Sequence, residues 1–197
     1  MYADAYFFGG CMKRLLSYFS KLEITLWCSS IALVFISFIS FDRANYLTLI
    51  ASLIGVTSLI FNAKGNPVGQ IFMIIFSIIY GIISYSFSYY GEMITYLGMT
   101  MPMAIFALIS WLKNPYQGNR SQVKINSIGK REQALMWLLT LAVPAVFYFI
   151  LDHFDTNNLI PSTISISTSF LGAYLTFRRS PFLSVAYAAN DIILIIL

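Results

Sequence analysis

Asp191 is the one ionisable side chain lying inside any long apolar run of this 197-residue sequence, and Asn190 stands beside it. An acid next to an amide offers proton exchange and hydrogen bonding to a polar ligand. Neighbouring helical positions point about 100° apart, so one of the pair faces a path or site while the other packs against a helix. A buried carboxylate must meet a cavity or a partner, or be protonated; the alternative role for both residues is polar glue between helices. Asn62, Asn66 and Gln70 form an earlier polar set, suited to capping helices or to touching a ligand. Tyr80, Tyr96, Trp111 and Tyr187 are the aromatics best suited to stack on a flat ligand. Aromatics make up 17% of the chain, so most serve core or an interfacial belt, where Trp27 and Trp137 fit. The candidate binding residues are Asn190, Asp191, Trp111, Gln70, Tyr80, Tyr96 and Tyr187.

Catalysis finds little footing. His153 is the sole histidine, in a loop beside Asp152, and no Ser/His/Asp set, phosphate loop, metal cluster or intramembrane carboxylate pair accompanies it. Cys11 and Cys28 give neither a disulfide framework nor a metal-ligand spacing. The expectation is a protein that is not an enzyme and needs no cofactor or metal.

The elements that carry these residues follow from composition. Hydrophobic residues make up 58% of the chain and charged residues 10%, with mean hydropathy +0.75. A soluble domain carries about 25% charged residues. That shortage excludes a cytosolic enzyme, a nucleic-acid-binding module and a disordered chain. Seven uncharged runs are long enough for membrane helices: Ile24–Phe41, Tyr46–Asn62, Gly69–Tyr90, Met93–Trp111, Ala134–Leu151, Leu159–Phe177 and Pro181–Leu197. The last run reaches the final residue, and a few more residues are expected beyond it. No small-residue cleavage site follows Lys13 and Arg14, so a removable signal peptide is not expected.

Charge placement tests the division. Numbering the loops alternately puts eleven of the twelve basic residues on one side and only Arg43 on the other. This asymmetry sets the N-terminus in the cytoplasm and the C-terminus outside. The net charge of +4 is thus a topology signal, not a nucleic-acid footprint. Met12 to Leu22 alternates basic and apolar residues, as an interfacial helix does, and Lys113 to Gln133 is read as a solvated basic connector, with a nucleic-acid or lipid site as the alternative.

An internal repeat organises the spans. Phe41-Asp42-Arg43-Ala44-Asn45 returns as Phe154-Asp155-Thr156-Asn157-Asn158, and Lys64-Gly65-Asn66-Pro67 returns as Arg178-Arg179-Ser180-Pro181, about 113 residues on. The fold class is therefore an all-α membrane protein of seven transmembrane helices, two parallel three-helix repeats joined by a linker helix (3+1+3), with a path between the halves. The segments are 1–23, a cytoplasmic interfacial stretch; 24–90, the first repeat; 91–133, the linker helix and basic loop; and 134–197, the second repeat. Ser77, Gly81, Ser84 and Ser88 form a small face of helix three, and Ser162, Ser165, Ser169, Gly172 and Thr176 one of helix six. Pro102 and Pro144, inside spans four and five, free a backbone carbonyl each and are expected to kink or pivot their helices.

Gly65-Asn66-Pro67-Val68-Gly69-Gln70, Tyr90-Gly91-Glu92, Pro102-Met103, Trp111-Leu112-Lys113-Asn114 and the late aromatic before Asn190 resemble the PnuC family of vitamin and nucleoside transporters, over about residues 45–197. The resemblance implies facilitated diffusion of nicotinamide riboside, trapped inside by a cytosolic kinase, in a bacterial inner membrane. It also implies a SWEET-like fold, assembled as a homo-oligomer such as a trimer. Trp111 and Asn190 would belong to the binding region, with Gln70 and Tyr80 beside them. The sequence departs from the riboside pattern: Ala104 stands where a glutamine is common, Leu108 where a tryptophan is common, and Tyr187 near a frequent tryptophan. Loss of an aromatic weakens cation–π recognition of a nicotinamide cation. The expected partners are a nicotinamide riboside-like small molecule and the lipid bilayer, with no nucleic acid. Carriage of deoxynucleosides or thiamine, or a non-transporting membrane scaffold or receptor, are the alternatives.

Overall fold

The computed structural model describes residues 18–156 and 158–196. The interfacial helix expected from Met12 therefore lies mostly outside the described residues, as do Cys11 and Asn157. Among the described residues the helices are α1 (Lys21–Phe41), α2 (Tyr46–Ala63), α3 (Val68–Ser86), α4 (Tyr90–Lys113), α5 (Lys130–His153), α6 (Leu159–Phe177) and α7 (Leu183–Ile196). The first five are long and apolar enough to cross a membrane. Helix α6 falls short by composition, with seven serines and threonines in 19 residues, and α7 by length, at 14 residues.

Local chemistry sets the boundaries. Ser20 and Glu23 close a capping box at the start of α1: the Ser20 hydroxyl accepts from the Glu23 N–H at 3.2 Å, and the Ser20 N–H donates to the Glu23 carboxylate at 2.7 Å. Helix α3 stops at Ser86, short of the Tyr90 expected from hydropathy, because Ser88 turns to a positive φ of 61°. Ser88 is thus exposed beyond the helix, while Ser77, Gly81 and Ser84 of the same expected face are buried. In α4, Pro102 cannot donate to a carbonyl one turn back, and the preceding turn, Tyr96–Thr100, is π-helical. Pro144 is buried within an α5 that stays helical from end to end.

The expected loop between Lys113 and Gln133 carries structure. Pro115–Tyr116 (β1) and Asn119–Val123 (β2) pair antiparallel around Gln117 and Gly118, both at positive φ as a tight hairpin turn requires. Hydropathy missed it because a two-stranded hairpin of polar residues has no apolar face to register.

Helix α4 lies in the middle of the packing, against α3 on one side and α6 on the other; α2 covers α3, and α5 and α7 cover α6. Met99, Met136, Phe147, Ile166, Phe170 and Leu175 form a continuous core across α4, α5 and α6. Helix α1 buries no residue, and Leu33, Ile36 and Ile39 project from it. Apolar faces of that kind suit a lipid solvent.

The repeat read from the sequence recurs as a set of bonds 114 residues apart. The Gly65 N–H donates to the Asn62 carbonyl at 2.9 Å, and the Arg179 N–H to the Thr176 carbonyl at 3.0 Å. Asn66 N–H meets the Phe61 carbonyl, and Ser180 N–H the Leu175 carbonyl, each at 2.9 Å. Lys64 pairs with Glu23 at the start of α1 at 3.0 Å, and Arg178 pairs with Glu132 at the start of α5.

Candidate functional site

A small cavity of about 20 Å³ opens where α3, α4, α6 and α7 meet. Gln70 and Met73 line it from α3, Thr100, Met103, Ala104 and Ala107 from α4, Ala173 and Thr176 from α6, and Tyr187 from α7. Its volume is that of roughly one water molecule. Four helices from the length of the chain thus each supply lining residues, with α4 contributing the most.

Gln70 is 2% exposed and held by a relay. Its side-chain N–H donates to the Asn62 amide oxygen at 2.8 Å, the Asn62 amide donates to Ser58 Oγ at 3.2 Å, and Ser58 donates to the Gly69 carbonyl at 2.8 Å. Every member sits on α2 or the first turn of α3, so the relay fixes the glutamine relative to both. Asn66 turns the chain into α3: its amide oxygen accepts the Val68 N–H at 3.0 Å.

Trp111 is 1% exposed and does not line the cavity. Its indole N–H donates across helices to the Thr176 carbonyl at 2.8 Å, binding α4 to α6 at the cavity wall. Thr176 donates in turn to the Gly172 carbonyl at 2.8 Å. Tyr187 lines the cavity, and its ring is packed over Gly172: a Cβ there would come within 3.0 Å of it.

Asn190, one turn on from Tyr187 along α7, is buried against α6. Its amide oxygen accepts from the hydroxyls of Thr168 at 2.8 Å and Ser169 at 2.9 Å, with Ser165 at 3.4 Å. That constellation joins α6 to α7 away from the cavity. Asp191 is exposed on the outer face of α7 and is not brought to the cavity either. Tyr80 and Tyr96 face each other across α3 and α4 with ring centroids 4.4 Å apart, and Phe76 completes the cluster at 5.5 and 5.8 Å. The π-turn that carries Tyr96 also carries Thr100 to the cavity.

The structure thus brings Gln70 and Tyr187 together at one cavity, places Trp111 behind its wall, and sets Tyr80 with Tyr96 in a separate aromatic cluster. Met73, Thr100, Met103, Ala107 and Ala173 were not singled out in the sequence as site residues, although Met103 stood in the Pro102-Met103 motif. Pro102 carried the available signal for two of them, since the proline sets the turn that directs Thr100 and stands beside Met103. Among the described residues no group of three or more histidines, cysteines and acids lies close enough to hold a metal ion. The lining offers neutral hydrogen-bonding groups, thioethers and one phenol ring, a set for recognising an uncharged polar or delocalised cationic ligand.

Comparison with known proteins points the same way. A family model described as nicotinamide mononucleotide transporter matches residues 45–197. The nicotinamide riboside transporter PnuC of Neisseria mucosa is 26% identical over 133 residues, which cover 66% of this chain and 48% of that protein. The aligned region thus spans about half the length of that relative. A crystal structure of the vitamin B3 transporter PnuC superposes with a TM-score of 0.74 at 20% identity, over 90% of this chain and 76% of that one. At that identity the likeness is one of fold.

Proposed function

The chain belongs to the nicotinamide mononucleotide transporter family, and from that premise we propose that it carries nicotinamide riboside across a membrane by facilitated diffusion through the cavity between α3, α4, α6 and α7. The observation that carries this reading is the chemistry of the lining. Gln70, Thr100 and Thr176 offer neutral donors and acceptors to a ribose or a carboxamide, and Tyr187 offers a ring to a pyridinium. Among the described residues, no lysine or arginine lines the cavity. A phosphate dianion taken out of water needs such a cation, so the lining favours the riboside over the mononucleotide.

A cavity of about 20 Å³ is far smaller than a nucleoside, so the helices must part to admit one. The matched turns at Gly65 and Arg179 support two triple-helix halves, 24–90 and 134–197, rocking about the α4 linker segment 91–133 in alternating access. The basic asymmetry supports seven crossings of a bacterial inner membrane with a cytoplasmic N-terminus. Assembly as a homo-oligomer such as a trimer, and the absence of any enzymatic step, belong to the same reading.

Carriage of a deoxynucleoside or thiamine is the second reading, and Ala104 favours it. This alanine lines the cavity where the family pattern commonly has an amide, leaving one hydrogen-bonding group fewer for a ribose.

Uptake by proteoliposomes containing only this protein is the test. Labelled nicotinamide riboside should accumulate to its outside concentration, and nicotinamide mononucleotide should stay outside. Equal entry of the mononucleotide, or no entry of any nucleoside or vitamin, would overturn the proposal.

A further inference from the structure

A second, larger hollow of about 660 Å³ lies on the basic side of the molecule, away from the cavity described above. Residues 125–128 of the connector close one end of it. Met136 and Trp137 of α5, Leu171 and Leu175 of α6, and Val185 and Ala189 of α7 form its apolar length. Trp137 and Val185, 55% and 67% exposed, leave the groove open along its side.

One end of the groove is polar, lined by Asn126, Ser127, Gln133 and Ser180, and basic residues adjoin that end in the chain. Lys124 adjoins lining residue Ile125, Arg179 adjoins lining residue Ser180, and Lys130 sits one turn before lining residue Gln133 on the same face of α5. Glu132, the acid nearest in the chain, is already paired with Arg178, so it does not offset these cations. Arg179 Nε is buried without a hydrogen-bond partner. Burial, with the like charge of Arg178 beside it, works against the protonated form of Arg179, and an anion at this point would relieve both effects.

We propose that this groove holds an anionic glycerophospholipid, one acyl chain lying along Met136, Leu175 and Val185 and the phosphate among Lys124, Lys130 and Arg179. A second copy of the chain docking by this same face fits poorly, because it brings the same basic rim and like charges repel. The proposal rests on the reading that the chain spans a membrane.

Phospholipids brominated on the acyl chain quench a tryptophan they touch. The full chain in detergent micelles is titrated with brominated phosphatidylglycerol or brominated phosphatidylcholine, with Trp137→Phe isolating the Trp137 signal. Phosphatidylglycerol should quench Trp137 at a several-fold lower lipid fraction than phosphatidylcholine. Lys130→Gln and Arg179→Gln should each erode that preference by about fivefold. Ala189→Phe, which fills the groove, should weaken quenching by both lipids, and it keeps the test decisive if a charge variant misfolds by circular dichroism. Equal quenching by the two lipids, a preference that survives both charge substitutions, or quenching unchanged by Ala189→Phe would overturn the proposal. Nicotinamide riboside binding is measured on the same samples. Its loss with the lipid preference intact sinks the transport reading alone, and the reverse result sinks the lipid site alone.

Discussion

Gly65 and Arg179, 114 residues apart, hold the same place in two turns: both have left-handed backbones, with φ of 66° and 58°, and each offers its carbonyl to the connector that joins the halves. Val123 N–H donates to the Gly65 carbonyl at 2.9 Å, and Asn126 N–H to the Arg179 carbonyl at 3.0 Å. One short stretch of chain, 123–126, therefore bonds to both turns. Glycine takes that conformation freely, whereas a residue with a Cβ takes it at a cost of about 1 kcal/mol.

The pair should respond to substitution in opposite directions. At Gly65 a Cβ would lie 3.1 Å from the Val123 side chain as well as in the left-handed region, so Gly65→Ala should destabilise by about 1–2 kcal/mol. Arg179→Gly should be neutral or stabilising by up to about 1 kcal/mol. Thermal unfolding in detergent measures both, and a fall of equal size in the two variants would refute the equivalence of the turns.

Gly172 sets how far Tyr187 stands from the cavity. Gly172→Ala places a methyl within 3.0 Å of the ring, and Gly172→Val adds bulk that the ring cannot avoid without moving toward Gln70 and Ala104. Riboside uptake should fall about tenfold in the alanine variant and further in the valine variant, while helical content is kept. Uptake by Gly172→Val at the unsubstituted rate would show that Tyr187 does not bound the path.

Helix placement was legible because lipid-facing helices need long uncharged runs, and these leave an unmistakable mark in a chain with 10% charge. The turn repeat was legible for a similar reason: Gly-Asn-Pro and Arg-Ser-Pro are punctuation that hydropathy cannot blur. The site was legible only in part. Gln70 and Tyr187 have side chains that announce a role, but Ala104, Ala107 and Ala173 matter for what they leave empty, and emptiness has no sequence signature. Asp191 drew attention as the one acid in a span, yet sequence alone cannot say which face of a helix looks inward when both faces are apolar. In α7 the inward face is set by Ala186 and Asn190, which pack on α6, and this turns Asp191 outward.

Adjacent residues of α7 should accordingly behave differently. Asn190→Ala removes the acceptor shared by Thr168 and Ser169 and should destabilise by about 1 kcal/mol. Thr168 has the Ser165 carbonyl within 3.0 Å as a fallback, which limits the loss. Riboside affinity should change little. Asp191→Asn should leave uptake unchanged with or without an imposed pH gradient. A gradient effect present in the unsubstituted protein and absent in Asp191→Asn would instead assign proton coupling to this carboxylate.

Gln70 is the sharpest probe of the cavity itself. Gln70→Ala deletes an amide from the wall and should weaken riboside binding about tenfold by calorimetry, the equivalent of about 1.4 kcal/mol. Asn62→Ala removes only the group that orients Gln70 and should produce a smaller loss of affinity with the same sign. A larger loss for Asn62→Ala than for Gln70→Ala would mean that Asn62, not Gln70, meets the ligand.

The connector offers a test of how the halves move. If the basic side opens by separating the two turns, then the bonds from Val123 and Asn126 resist opening, and each contributes about 1 kcal/mol. Proline lacks the donor, so Val123→Pro and Asn126→Pro each delete one bond. Each should raise the population of the open form about fivefold while the closed form remains dominant. A cysteine introduced at Ala107, on the cavity wall nearly two turns from the basic end of α4, reports that population through its labelling rate by a water-soluble maleimide in a background without Cys11 and Cys28. Labelling should rise about fivefold in either proline variant, and combining the two should raise it further. Unchanged labelling in both would mean that the connector rides with the halves and the opening lies elsewhere.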